Sequence, residues 1–146
     1  KKIVILGFAF KANTNDTRES AAIQICKDLL EEGAQLIIHD PEVDSKQISL
    51  DLGVKQKDNN SKDLTDQYIE HGTWTMANDL DVCFSNTDAV VILTEWELYK
   101  FIDWERITNT MREPAWLFDV RSLINPKDIE NTKINFWRIG DGSINN

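Results

Sequence analysis

The run Ile3-Val4-Ile5-Leu6, halted by Gly7, is the feature that most restricts what this chain can fold into. Four consecutive apolar residues without polar alternation suit a strand buried on both faces, the habit of strands in parallel sheets. A parallel neighbour requires a crossover, and the next thirty residues read as one. A polar loop runs from Phe8 to Thr17, where Asp16 followed three residues on by Glu19 resembles a capping box at a helix start. Ala22, Ile25, Cys26, Leu29 and Leu30 then share one helical stripe. Gly33 is placed to close that helix in the left-handed conformation, and Leu36-Ile37-Ile38 opens the next buried strand. Strand, helix and strand in this order predict a right-handed parallel crossover.

Beyond Pro41 the pattern loosens. The polar stretch to Gly72 reads as an elaborated surface connection, apart from a short helical segment with Leu64, Tyr68 and Ile69 on one side. Thr73–Met76 is a third strand, and Asn78 is placed to cap a helix carrying Leu80, Cys83 and Phe84. Ala89–Leu93 is a fourth strand of unbroken apolar residues. Asp103 starts a helix with Trp104, Ile107 and Met111 inward; Ala115–Phe118 is a fifth strand, and Ile134–Ile139 ends the sheet. Trp74, Trp104 and Trp116 fall at core positions of their elements. The alternation predicts an α/β fold: a doubly wound, mostly parallel sheet with helices on both faces.

Composition narrows the partners. Acidic residues outnumber basic ones 25 to 16, a net charge of −9. That balance argues against nucleic acid and anionic membranes, which need a basic surface. No apolar run reaches the length of a membrane span, and no signal peptide is evident. The two cysteines, Cys26 and Cys83, lack metal-ligand spacing and sit on apolar stripes, as packed thiols of a reducing compartment do. His39 and His71 have no partner at metal or triad spacing, so no catalytic or metal-ligating residue is assigned. The chain opens Lys1-Lys2 and runs straight into a strand, the look of a piece of something longer.

In an open parallel sheet, ligands sit beyond the carboxyl ends of the strands. Four segments qualify: Gly7 to Arg18, His39-Asp40-Pro41, Thr94-Glu95-Trp96, and Asp119 to Ser122. The first, Gly7-Phe8-Ala9-Phe10-Lys11-Ala12, occupies the slot of a Gly-x-Gly-x-x-Gly dinucleotide loop but keeps only its first glycine. Instead, Phe10 offers a flat apolar face and Lys11 a cation at the same edge. They suit a base or sugar with a polar oxygen, or else a core aromatic and a solvated lysine. Arg18, read in the first turn of the first helix, could clamp a phosphate or pair with Asp16 or Glu19. Arg121 could reach across the crevice toward Phe10 and Lys11, or cap loop carbonyls.

The runs Ile5-Leu6-Gly7-Phe8-Ala9-Phe10-Lys11 and Asp16-Thr17-Arg18-Glu19-Ser20 resemble the C-terminal, UDP-binding domain of the UDP-glucose/GDP-mannose dehydrogenase family. The likeness continues, in order, through His39-Asp40-Pro41, Ala89–Leu93, Thr94-Glu95-Trp96, Asp103–Ile107 and Phe118-Asp119 with Arg121. It departs at Ala12, where a second lysine often stands, at Asn13 for a usual aspartate, and at Val120 for a usual glycine.

The resemblance implies a UDP-sugar-binding C-terminal domain over residues 1–146, a Rossmann-like fragment of a longer dehydrogenase. Such enzymes oxidise UDP-glucose to UDP-glucuronate with NAD, and the family's nucleophilic cysteine lies outside this region, so the fragment alone would be inactive. By the same likeness Phe10, Lys11 and Arg121 would contact the UDP-sugar and Arg18 would help hold NAD. The implied partners are the N-terminal NAD-binding and central domains of the same chain, in a cytoplasmic homo-oligomer. Two other readings stand beside it: a free-standing nucleotide-binding or scaffold module, and a domain of a GDP-mannose or UDP-N-acetylmannosamine dehydrogenase.

Overall fold

β1 (Lys2–Leu6) lies inside the sheet with β2 (Gln35–His39) on one side and β4 (Ala89–Ile92) on the other, and this position explains its unbroken apolar run. The computed structural model describes residues 1–57, 71–139 and the strand pair-forming residues 142–143. Outward from β2 comes β3 (Thr73–Met76); outward from β4 come β5 (Trp116–Asp119), β6 (Asn135–Arg138) and β7 (Gly142–Ser143). The order is β3-β2-β1-β4-β5-β6-β7, with β1 to β6 all parallel. The order reverses between β1 and β4, the switch point where this class of sheet opens a crevice. The short β7 pairs antiparallel with β6, so the sheet does not end at residue 139 as the sequence suggested.

By the right-handed rule for parallel crossovers, connections running outward in opposite directions from β1 and β4 place their helices on opposite faces. α1 (Ala21–Glu31) and α2 (Ser45–Leu52) belong to the first direction and α3 (Trp104–Thr108) to the second. Register then sorts the side chains, because strand residues alternate between faces. Val90, Ile92, Leu117 and Phe136 share one face of β4 to β6 and are at most 2% exposed. The other face of the same strands carries Val91, Trp116, Phe118 and Trp137, all only partly buried. Trp116 and Phe118 stack there at 5.5 Å between centroids. Trp74 and Trp104 are core residues as expected, but Trp116 is not.

Helix ends with a single competent residue fall where the sequence places them, and those with neighbouring competitors do not. Gly33 follows the end of α1 with φ of 85°, and Asp103 caps α3 by accepting from Arg106 N–H. The α1 cap is Ser20, not Asp16: the Ser20 hydroxyl accepts Ala22 N–H and donates to Phe8 O. Arg18 therefore precedes the helix instead of lying in its first turn. Asp79, not Asn78, caps the following turn, and that turn is a short 3-10 helix, Leu80–Val82. The connection after Pro41 contains a true helix, α2, capped by Asp44 and burying Ile48 and Leu52. The expected segment with Leu64, Tyr68 and Ile69 lies outside the described residues.

The reassigned cap is testable by substitution. Ser20→Ala should cost about 2 kcal/mol, near the top of the range for caps because the hydroxyl also satisfies a buried carbonyl. That corresponds to a fall in Tm of roughly 4–8 °C for a chain of this size. Asp16→Ala should leave thermal unfolding nearly unchanged. The opposite ranking would return the cap to Asp16.

Candidate functional site

Three loops meet at the carboxyl edge of the sheet: those after β1, β4 and β5. Their arrangement begins at Gly7, whose φ of 96° lies where residues with a side chain are strained. A Cβ at Gly7 would also collide with the Thr94 side chain. The turn aims Phe8 and Ala9 inward, both at most 1% exposed, and their two N–H groups converge on one oxygen of Asp40, at 2.7 and 2.9 Å. Trp96 donates its indole N–H to the same oxygen at 3.1 Å. The other Asp40 oxygen accepts from Glu42 and Val43 N–H at 2.8 and 3.0 Å. Thr94 Oγ1 donates to Ala9 O at 2.8 Å and ties the β4 loop to the β1 loop.

This packing turns the loop's outer half toward solvent. Phe10, with its N–H held by Asp16 O at 2.7 Å, is 45% exposed, so it is a surface aromatic and not a core one. Lys11 is exposed beside it. Across the crevice, Asp119 is fully buried and shapes the β5 turn by accepting Arg121 N–H and Ile124 N–H at 3.1 and 2.7 Å. Arg121 is thereby launched toward the β1 loop. Its Nε donates to Glu95 Oε2 at 2.6 Å and its Nη2 to Phe10 O at 3.3 Å. Phe10 and Arg121, 111 residues apart, therefore touch, with Lys11 adjoining the contact. Arg18 is 87% exposed and pairs with Asp16 at 2.8 Å, with no hydrogen bond or ion pair to Phe10, Lys11 or Arg121 among the described residues. That pair lowers the Asp16 carboxyl to about 2 through the side-chain and backbone hydrogen bonds from Arg18.

Glu95 and Asp40 received no individual role from the sequence. Their signal is positional: Asp40, Glu95 and Asp119 are carboxylates within a residue or three of the ends of β2, β4 and β5. Burial works against ionising Glu95, yet backbone N–H groups (its own and that of Ala12) and Arg121 together hold its carboxyl below the usual range. Beneath the loops, His39 Nδ1 lies 2.8 Å from the Tyr99 hydroxyl, both groups buried. Cys26 and Cys83 are buried thiols, each pushed up to about 12 by burial, far from a nucleophilic thiolate.

The β1 loop does not fit a dinucleotide. The amides that would cradle a pyrophosphate at this position are those of Phe8 and Ala9, and the protein's own Asp40 carboxylate occupies them. Ala9 also stands where close approach demands glycine.

Residues 4–126 match the family model described as "UDP-glucose/GDP-mannose dehydrogenase family, UDP binding domain". The chain belongs to this family. It is 42% identical over 139 residues to a UDP-glucose 6-dehydrogenase of Pongo abelii, covering 93% of this chain and 26% of that protein. The corresponding figures for UDP-glucose 6-dehydrogenase 4 of Arabidopsis thaliana are 36% over 146 residues, 96% and 30%. The chain thus spans between a quarter and a third of the length of these relatives. Among solved structures it is similar to a UDP-glucose dehydrogenase from Pyrobaculum islandicum, with TM-score 0.61, 25% identity, and 92% of this chain and 24% of that one covered. A UDP-D-ManNAc dehydrogenase from Pyrococcus horikoshii shares the fold at TM-score 0.65 and 23% identity, covering 94% and 25%. The Rossmann-like expectation is met. No helix among the described residues is long and apolar enough to cross a membrane.

The His39 contact predicts a pH dependence. Burial holds its imidazole below the ordinary value, against the opposing pull of the Asp40 charge. The unfolded chain therefore binds a proton that the folded chain refuses. Stability from this group is complete above about pH 6.5 and declines as the pH falls through that value. His39→Asn, whose amide can replace Nδ1, should flatten the change in urea midpoint between about pH 7 and 5.5. A variant with the wild-type slope would assign the decline to other groups.

Proposed function

We propose that residues 1–146 form the C-terminal, nucleotide-sugar-binding domain of an NAD-dependent dehydrogenase that oxidises UDP-glucose to UDP-glucuronate. The observation that carries this reading is the contact of Arg121, from the loop after β5, with Phe10 O in the loop after β1, with Lys11 exposed at the next residue. Phe10 supplies a flat apolar face for a base or sugar ring. Lys11 and Arg121 supply cations in a chain of net charge −9, where positive groups are scarce. A guanidinium and an ammonium carried on two touching loops suit the oxygens of a diphosphate or a sugar. Identity to UDP-glucose 6-dehydrogenases at 36–44% supports UDP-glucose as the sugar nucleotide.

In this reading the domain binds and orients, and the oxidation takes place on the remainder of the longer protein. The remainder would supply the NAD-binding and central domains, and the assembly would be a cytoplasmic homo-oligomer. NAD would accept hydride from the sugar alcohol; this chain's β1 loop does not hold its pyrophosphate. Arg18, exposed and charged at a neighbouring edge, would make at most a peripheral contact to that cofactor. Both cysteines being buried with raised thiols, no thiolate is available here for covalent catalysis.

Calorimetric titration with UDP-glucose tests the proposal. Lys11→Ala and Arg121→Ala should each weaken binding by roughly ten- to a hundredfold, the loss of one charge-assisted contact. Tm should hardly move, because exposed cations contribute little to folding. Arg18→Ala should bind UDP-glucose as wild type does, and the chain should form no NADH from UDP-glucose and NAD. Unchanged affinity in both Lys11→Ala and Arg121→Ala would refute the site.

A further inference from the structure

We infer that Glu95 is a positioning residue, which locks Arg121 and the β1 loop into a single ligand-binding edge. The inference deepens the nucleotide-sugar reading above and rests on it. The topology makes Glu95 the residue able to do this. Its loop follows β4, and β4 is the strand lying between β1 and β5 in the sheet. A side chain from this loop can therefore reach both neighbours at once. Glu95 does so with separate oxygens: Oε2 accepts Arg121 Nε at 2.6 Å and Oε1 accepts Ala12 N–H at 3.4 Å. Arg121 Nη2 closes the ring on Phe10 O at 3.3 Å. Three loops are joined through one carboxylate and one guanidinium.

The geometry of the guanidinium gives this ring a purpose. Arginine carries five N–H donors in a planar fork. The edge formed by Nε and Nη2 is committed to Glu95 and Phe10 O. The remaining donors, including both of Nη1, have no protein partner among the described residues, and stay available for a ligand. Without Glu95 the guanidinium would be a mobile surface cation and would have to be ordered at the moment of binding, which weakens affinity. As a plain surface ion pair the contact would contribute little, since both side chains are more than a third exposed. That separates the two accounts: a positioning role moves affinity and barely moves stability.

The competing effect is charge. A carboxylate beside a phosphate repels it, so a Glu95 that merely neutralises Arg121 would inhibit binding, and its removal would tighten it. The ring of contacts argues for the opposite sign.

The experiment compares wild type with Glu95→Ala and Glu95→Gln, following UDP-glucose affinity by calorimetry and the Arg121 Nε–H resonance by NMR without ligand. Glu95→Ala should weaken binding roughly tenfold at unchanged Tm and lose the distinct, exchange-protected Nε–H signal. Glu95→Gln, which keeps an acceptor oxygen for Nε, should recover most of both. Wild-type or tighter binding in Glu95→Ala, with the Nε–H signal retained, would overturn the inference. If Lys11→Ala and Arg121→Ala also bind as wild type, the functional reading itself has failed. The ligand-free Nε–H signal still decides whether Glu95 orders Arg121: its persistence in Glu95→Ala overturns that too.

Discussion

One buried carboxylate organises the candidate site. Asp40 accepts N–H groups from Phe8, Ala9, Glu42, Val43 and Trp96, bringing the loops after β1, β2 and β4 to a common centre. Phe8, Ala9, Val43 and Trp96 are buried, and each of their donors would otherwise lack a partner, at about 1–3 kcal/mol apiece. The contact also decides what the β1 loop can bind. In a dinucleotide domain the amides of this turn face a pyrophosphate, and an acid at the end of the second strand faces a ribose. Here the acid turns inward and fills the turn. In the proposed reading the loop would recognise its ligand with its outer side chains, Phe10 and Lys11.

Two further carboxylates extend the same logic outward. Asp119, fully buried, holds the backbone of the β5 turn, and Glu95, half exposed, holds the side chain that the turn launches. The depth of each acid matches its work: backbone amides are fixed from inside the fold, a guanidinium from the surface. The acids sit at the ends of β2, β4 and β5, around the switch point beside β1. Much of the chain's −9 charge is solvated surface, but these three carboxylates form the frame on which its few crevice cations are placed.

The sheet was legible because its strands announce themselves. Ile3–Leu6, Leu36–Ile38 and Ala89–Ile92 are apolar runs without polar alternation, the mark of strands inside a parallel sheet, and all three are found there. The candidate site residues were legible for a related reason: strand ends define the crevice, and Phe10, Lys11 and Arg121 all lie just beyond one. Competing local signals were not legible. Asp16 and Ser20 are both competent caps, and the buried Phe8 carbonyl that selects Ser20 is a tertiary partner. Helix α2 was hidden because its polar sequence buries only Ile48 and Leu52. Trp116 has a core-like position in its strand, yet the crossovers leave its face of β4 to β6 only partly covered. The Glu95–Arg121 pair joins residues 26 apart in sequence, a separation that carries no periodic signal.

In the proposed reading the ligand binds against Phe10, Lys11 and Arg121, with Glu95 holding Arg121 in place, and not at another edge of the sheet. The structure offers an alternative, a cavity of about 490 Å³ beyond β2 and β3, lined by Glu42, Asp44, Gln56 and Asn78 among others. Backbone amide chemical shifts of the isotopically labelled chain, recorded during titration with UDP-glucose, separate the two most directly. The account predicts the largest shifts at Phe10, Lys11, Ala12, Glu95 and Arg121, with little change at Glu42 and Asn78. Shifts concentrated around Glu42, Asp44 and Asn78, with the Phe10 to Ala12 segment unmoved, would contradict it.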